Sequence, residues 1–428
     1  MSENTVIIIN FCLYLTLSII AATRKGKYSL VSVISYFYTT SALFSFLLYS
    51  HPLYDTTFTS DGTSTIEGCL YLFAINGLLI TSFWNVDISN IKQLKGYNEK
   101  LFTNTQKVLC VLFIIYLIFS LPGSISRFFS GSNLADMRDE IYGNNASSNF
   151  FLVSLINRFF GSTPILLLCI ASINILLLKS KRRIDRYTLY IYMALKINTI
   201  FATVTRQTMI FSLIEIVITL ILFKDYLTAR IKKNILKFSL IVVPSMYAIF
   251  SAITYARFGA QGLILDNLST LRYVGEANLN FMNLMYDNIK QPFLGFSQFP
   301  LFRRILGIPY DDGTMRDGVT VFNTYIEQHY HYYNPTYIFH GLAGSLYSNF
   351  GEIGCVIVAI IINYFLRKKS ALNTTFYLII IVIMASYISK GIFYADYGFE
   401  SGNLLIVYLM LLSYYLHHNS YTVKICKK

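Results

Sequence analysis

Residues 6–22 read VIIINFCLYLTLSIIAA, with Glu3 just before them and Arg24, Lys25 and Lys27 just after. An uncharged apolar run of this length crosses the hydrocarbon core of a bilayer as a helix. The charge order, acidic first and basic after, is the reverse of a secretory leader's. The run is therefore expected to stay as a first membrane span with its N-terminus outside.

Working outward, ten further apolar runs follow: 30–49, 68–86, 108–125, 162–178, 187–204, 207–223, 238–254, 350–366, 371–388 and 399–416. The expected fold class is an all-α integral membrane protein of about eleven transmembrane helices, with one large extracytoplasmic loop containing short helices. Its three parts are an eight-span bundle over 1–254, the loop over 255–349, and three closing spans with a cytoplasmic tail over 350–428. The runs 187–204 and 207–223 form one helical hairpin turning at Thr205–Arg206.

Composition agrees. Of the 428 residues 54% are hydrophobic and only 13% charged, where soluble domains carry roughly a quarter. With 34 Tyr, 34 Phe and a single Trp, tyrosine does the interfacial anchoring. The net charge of +13 comes in short clusters between apolar runs, which are topology signals and no nucleic-acid stripe. The six cysteines have neither metal-ligand nor redox spacing, so neither disulfides nor a metal centre is expected.

Orientation follows from Lys and Arg. With the N-terminus outside, every inner segment is basic: 24–27, 92–107, 179–186, 224–237, 367–369 and 424–428. The outer segment 50–67 has neither residue type. The C-terminus is thus expected in the cytoplasm. Twelve basic residues stand apart from this bias, among them Arg127, Arg158, Lys196, Arg206, Arg257, Arg272, Arg303, Arg304 and Lys390. They need another reason to exist.

Arg206, at the hairpin tip, and Arg257, after the eighth span, suit either snorkelling to headgroups or binding of an anionic lipid. Arg303-Arg304, flanked by apolar residues, reads as a surface anchor. Lys196 and Glu215 lie deep in adjacent antiparallel spans at similar depth, and read as a structural ion pair in preference to a proton relay. The segment with Arg127, Asp136, Arg138, Asp139 and Glu140 reads as a solvated loop.

The loop 255–349 holds His329, His331 and His340 within twelve residues. That spacing is poor for zinc; a base or a sugar hydrogen-bond donor is the alternative, and the tyrosines around them either stack on sugars or line the interface. From Asp266, a plausible N-cap, to Ile289 a helix is expected, with Arg272, Glu276, Asn280, Asn283 and Asp287 on one face. That face is either a solvated surface or a substrate-facing one.

Asn334-Pro335-Thr336, then Gly341, Gly344, Tyr347, Phe350-Gly351 and Gly354, lead into the ninth span. This stretch resembles the signature region of the O-antigen and oligosaccharide repeat-unit polymerases, the Wzy family. Thr205-Arg206-Gln207 and the plan of one large late outer loop are similar to that family too. An Arg-x10-Gly loop motif has no clean counterpart at Arg257 or Arg272. The His-Asn/Ser/Gln motif of the related ligases is absent, which favours a polymerase.

The resemblance implies a metal-independent glycosyltransferase of the bacterial inner membrane, without a cofactor. It would move a growing glycan from undecaprenyl diphosphate to a sugar hydroxyl of a new lipid-linked unit. Cations must hold the departing diphosphate, and the arginine fork suits this; a base must take the hydroxyl proton. Arg206, Arg257 and Arg272 are the diphosphate candidates, Glu276 and His331 the bases, and His329, Asn334 and Tyr347 the glycan contacts. Implied partners are the lipid-linked oligosaccharide, membrane lipid, and a chain-length regulator and flippase. A lipid-linked oligosaccharide flippase is the rival from another class, although it would have short loops and a pseudo-repeat that is not found here. The related ligase is the third reading.

Overall fold

The computed structural model describes residues 1–52, 64–129, 151–203, 206–258, 262–286, 299–307, 341–368, 371–393 and 400–425. In chain order the helices are α1 (Glu3–Lys25), α2 (Leu30–Tyr49), α3 (Ile66–Thr81), α4 (Glu99–Phe129), α5 (Phe151–Phe160) and α6 (Pro164–Ser172). They continue as α7 (Arg183–Thr203), α8 (Arg206–Leu222), α9 (Ala229–Phe258), α10 (Gly262–Asn280), α11 (Pro300–Ile305), α12 (Gly341–Leu366), α13 (Thr375–Lys390) and α14 (Glu400–His418). Strand β1 (Gln93–Tyr97) pairs antiparallel with β2 (Tyr421–Lys424). Single π-helical segments extend α6 (Ile173–Leu177) and α10 (Phe281–Met285).

All eleven apolar runs fall largely on helices. By length and composition, the helices able to cross a membrane among the described residues are Glu3–Lys25, Leu30–Tyr49, Glu99–Ser126 and Gly341–Leu366. A fifth is the pair Leu152–Phe160 and Pro164–Leu177, bent by 58° where Pro164 opens the second helix. Ile66–Thr81, Gln207–Leu222 and Thr375–Lys390 are apolar but shorter. The described chain is therefore all-α apart from one two-stranded ribbon, with four or five helices both long and apolar enough to span.

The chain divides into two compact units interleaved along the sequence. Unit 1 comprises 1–87, 267–371 and 383–406; unit 2 comprises 88–266, 372–382 and 407–428.

In unit 1, α1 and α2 are an antiparallel pair capped by Ser2 and Ser29, whose side chains accept from the first-turn amides of Thr5 and Ser32. Tyr14 stacks on Tyr38, and the Asn76 amide donates to the Tyr14 hydroxyl at 2.8 Å. Helix α10 crosses α2 closely at Gly275. A Cβ there would lie 2.5 Å from the backbone of Phe44 and Ser45, so only glycine allows this approach. Ser41 and Ser45 donate to the carbonyls of Val274 and Gly275, and the Asn278 amide donates to both serine hydroxyls.

Helix α12 is broken at Gly351, whose φ of 68° and ψ of −176° suit glycine. Its start is pinned beside the middle of α2. Gly341 and Leu342 donate backbone N–H to the carbonyls of Phe393 and Gly391. Tyr38, which donates to the Ile388 carbonyl at 2.8 Å, adjoins Gly391 and lies about 17 Å along α2 from the Tyr49 end. Past the break the chain follows α3. Tyr71 donates to the Glu352 carbonyl at 2.6 Å, and Asn363 donates to that of Leu78. The arm 341–350 thus rises from mid-level to Tyr71, and the arm after Gly351 turns down along α3. Nearly every residue of the first arm is buried.

In unit 2, α4 and α7 run parallel: Gln106 meets Asp185 and Thr188 at one end, and Asn198 meets Ser120 further along. Leu109, Phe113, Ile156, Leu167 and Leu195 form the core between them. The connecting segments converge at the Gln106 end. Lys179 donates to the Tyr226 carbonyl, Tyr226 to that of Ile88, and the Lys95 amide to the Asn373 carbonyl. Here the Asp185 carboxylate is fully buried and accepts from Gln106, Asn174, Ser180 and Arg182. Burial pushes its pKa up, but those four donors outweigh it and leave it below the usual carboxylate value.

Candidate functional site

The large-loop helix α10 begins at Gly262, so Asp266 lies within the helix and does not cap it. The polar stripe along this helix does form, and its surroundings decide its character. Glu276 and Asn280 are buried, as are Asn278 beside them and Asn283 on the π-helical continuation. The stripe faces protein, and the solvated-face alternative is set aside.

Arg272 grips Glu276 with both arms of its fork, Nε to one carboxylate oxygen at 3.1 Å and Nη2 to the other at 2.9 Å. The arginine side chain is 25% exposed and the glutamate 7%. Burial raises the Glu276 pKa, while Arg272 and a hydrogen bond from Asn280 pull it back without cancelling the rise. One turn on, the Asn283 amide donates to Glu3 at 3.0 Å. Glu3 also accepts from Tyr49 at 3.2 Å and from the backbone and hydroxyl of Ser64. A seam of polar side chains along one face therefore runs from Arg272 toward the start of α1.

The signature region packs against the same helix. A Cβ on Gly341 would lie 3.6 Å from that of Ala277, the neighbour of Glu276. Tyr347 is buried, donates to the Tyr286 carbonyl at 2.6 Å, and meets the rings of Phe281, Tyr286 and Tyr71 at 5.6, 5.9 and 5.6 Å. Of the sequence candidates, Arg272, Glu276 and Tyr347 belong to unit 1. Tyr347 is packed as core there, with its hydroxyl engaged by backbone. Arg206 opens α8 and Arg257 is the penultimate residue of α9, both in unit 2; Thr205, of the expected turn, lies outside the described residues. His329, His331 and Asn334 lie outside the described residues, as do His340 and Asp287.

Lys196 and Glu215 meet at 2.8 Å across the α7–α8 hairpin. Tyr192, buried like Glu215, donates to the same carboxylate at 2.6 Å and makes a three-membered group with the partly exposed Lys196. Sequence reasoning missed two things. Glu3 was read only as a charge flanking the first run, yet it anchors the seam. Ser41 and Ser45 lie within the run 30–49 without being singled out, yet they seat Asn278. The legible signal would have been the i, i+4 serine pair in α2.

What the fold and site define is an all-helical protein with several helices able to cross a membrane and a charged pair sequestered on a late loop helix. Compared with models of known protein families, with curated proteins and with solved structures, the chain has no match.

Proposed function

We propose that this chain is a polymerase of undecaprenyl-diphosphate-linked oligosaccharide repeat units, of O-antigen or capsule type, spanning the bacterial inner membrane eleven times. One observation supports the reading: the charged loop helix bearing Arg272 and Glu276 packs, at Ala277 and Phe281, on the Gly341–Gly351 part of the stretch that resembles the Wzy family.

The topology has independent support from parity. Segments on one side of a membrane are separated by an even number of spans. Residues 3, 49, 64 and 283 share hydrogen bonds, and all are outer positions in the eleven-span scheme. Residues 95, 373 and 424 share the ribbon or its edge, and all are inner positions.

In the reaction, the bond between the anomeric carbon of the growing glycan and the diphosphate oxygen breaks. A bond from that carbon to the acceptor hydroxyl oxygen forms, and the hydroxyl proton passes to a base. Arg272, seated in the seam, holds Glu276 until the substrate arrives. The diphosphate then exchanges with the carboxylate on the guanidinium fork, since both are bidentate acceptors. Glu276 is thereby released as the proton acceptor, a task for which a raised pKa suits it. His331 is the second base candidate, with His329 and Asn334 as glycan contacts.

The test replaces Arg272 by Ala and by Lys, and Glu276 by Gln, at matched membrane expression, and reads surface glycan ladders. Lys keeps charge and loses the fork, so both Arg272 variants should leave single repeat units in place of a ladder. A normal ladder in Arg272→Ala sinks the proposal. Long chains retained on undecaprenyl would indicate a ligase instead, and no glycan outside would indicate a flippase.

A further inference from the structure

A groove of about 390 Å³ lies between α4 and α7 in unit 2. Its walls are apolar, built from Val111 and Ile114 on α4 and from Ile184, Tyr187, Tyr190 and Ile191 on α7. Its one charged lining residue is Lys107, at the end nearest the helix starts. The walls are open: Val111 is 58% and Tyr190 66% exposed.

The charge at that end is built up by spacing. Arg183 precedes Tyr187 by one turn and Arg186 precedes Tyr190 by one turn, so each sits below a wall residue on its own face. Lys107, Arg183 and Arg186 are all exposed. Among the described residues none of the three makes an ion pair. The neighbouring acids Glu99 and Asp185 are both engaged by Arg182, at 2.8 and 3.1 Å. The starts of two parallel helices add positive potential at the same end.

An apolar trough ending in three unengaged cations has the polarity of a single amphiphile. We infer that this groove binds an anionic phospholipid, one acyl chain lying along Val111, Ile114 and Ile191 and the phosphate seated among Lys107, Arg183 and Arg186. A free phosphate would leave the trough uncovered, and a zwitterionic lipid would bring its own ammonium to the three cations. On the proposed topology the site lies in the cytoplasmic leaflet, where anionic headgroups are attracted to juxtamembrane basic residues. It is independent of the transferase reading.

The test uses the purified full-length protein in phosphatidylcholine nanodiscs doped with phosphatidylglycerol, with retained lipid counted by native mass spectrometry. The wild type should retain phosphatidylglycerol over phosphatidylcholine by about tenfold. The combined Lys107→Ala, Arg183→Ala and Arg186→Ala variant should lose that preference. Val111→Trp, which fills the trough, should lose retention of the bound lipid itself. A control carrying Lys232→Ala and Lys233→Ala, exposed basic residues elsewhere on the chain, should behave as wild type. Equal retention of the two lipids by the wild type overturns the proposal. So does unchanged retention in Val111→Trp, or a loss in the control as large as in the triple variant, which would mean general annular attraction only.

Discussion

At the residue scale, the buried carboxylates Asp185, Glu215 and Glu276 each meet a cation. Lys196 and Glu215 show the cost of removing one partner. Glu215 is 3% exposed and Lys196 20%, so a lone substitution strands the other charge, at about 3–5 kcal/mol. Lys196→Leu and Glu215→Leu should each reduce folded protein in the membrane more than the double variant does; additive losses in a thermal-unfolding cycle would remove the pairing argument. Asp185 tests a different balance. Its folded pKa lies below the ordinary 3.8, so its charged form stabilises the fold above that value. The contribution is lost as pH falls through the lower, folded value. Asp185→Asn should therefore melt below wild type in detergent at pH 7, and the gap should close only when both are taken below pH 3.8. The ion pair was readable because a charge in an apolar run demands a partner at its own depth. The Asp185 cluster was not, since Gln106 is distant in sequence and Asn174 and Ser180 precede α7 across a break in the helix, where no periodic signal runs.

At the scale of elements, two glycines set the geometry of unit 1. Gly275→Ala would drive a methyl into the Phe44–Ser45 backbone, separating α10 from α2 and loosening the Asn278 bonds. Overpacking of this kind costs about 1–3 kcal/mol, and the variant should unfold at a lower temperature than wild type. Gly351→Ala should cost about 1–3 kcal/mol through its left-handed φ alone. Limited proteolysis near the break should rise; a variant as resistant as wild type would mean that the turn tolerates a side chain. Helices were largely legible here, because hydropathy and periodicity mark them. The reversal at Gly351 was not, because a glycine next to a span reads equally as small-residue packing or as a turn. The burial of the Asn-rich stripe was equally hidden. Asn278, Asn280 and Asn283 look solvated by composition, and only the polar face of α2 opposite reveals otherwise.

At the scale of the whole molecule, the count and direction of spans are the quantities to measure. The eleven-span scheme puts Lys424 and the residues after it in the cytoplasm, so a C-terminal alkaline phosphatase fusion should be inactive and a fluorescent-protein fusion bright. The opposite pair of signals would mean that the count is wrong by one span. The expected orientation rests on six basic segments alternating with apolar runs, a pattern that needs no tertiary knowledge. The candidate site was half readable. Arg272 and Glu276 stood out by spacing, whereas the identity of their neighbours depended on contacts across hundreds of residues.

The β1–β2 ribbon also sets a timetable. Gln93 pairs with Lys424 and Tyr97 with Tyr421, so the first strand leaves the ribosome more than three hundred residues ahead of its mate. At about 5–20 residues per second, its edge waits for tens of seconds, beside a Lys95 that blunts it against wrong partners. Closure of the ribbon therefore waits until segment 421–424 has emerged and is captured by one made far earlier. A nonsense codon just before Tyr421 would spare every described helix and still leave the chain without this clasp.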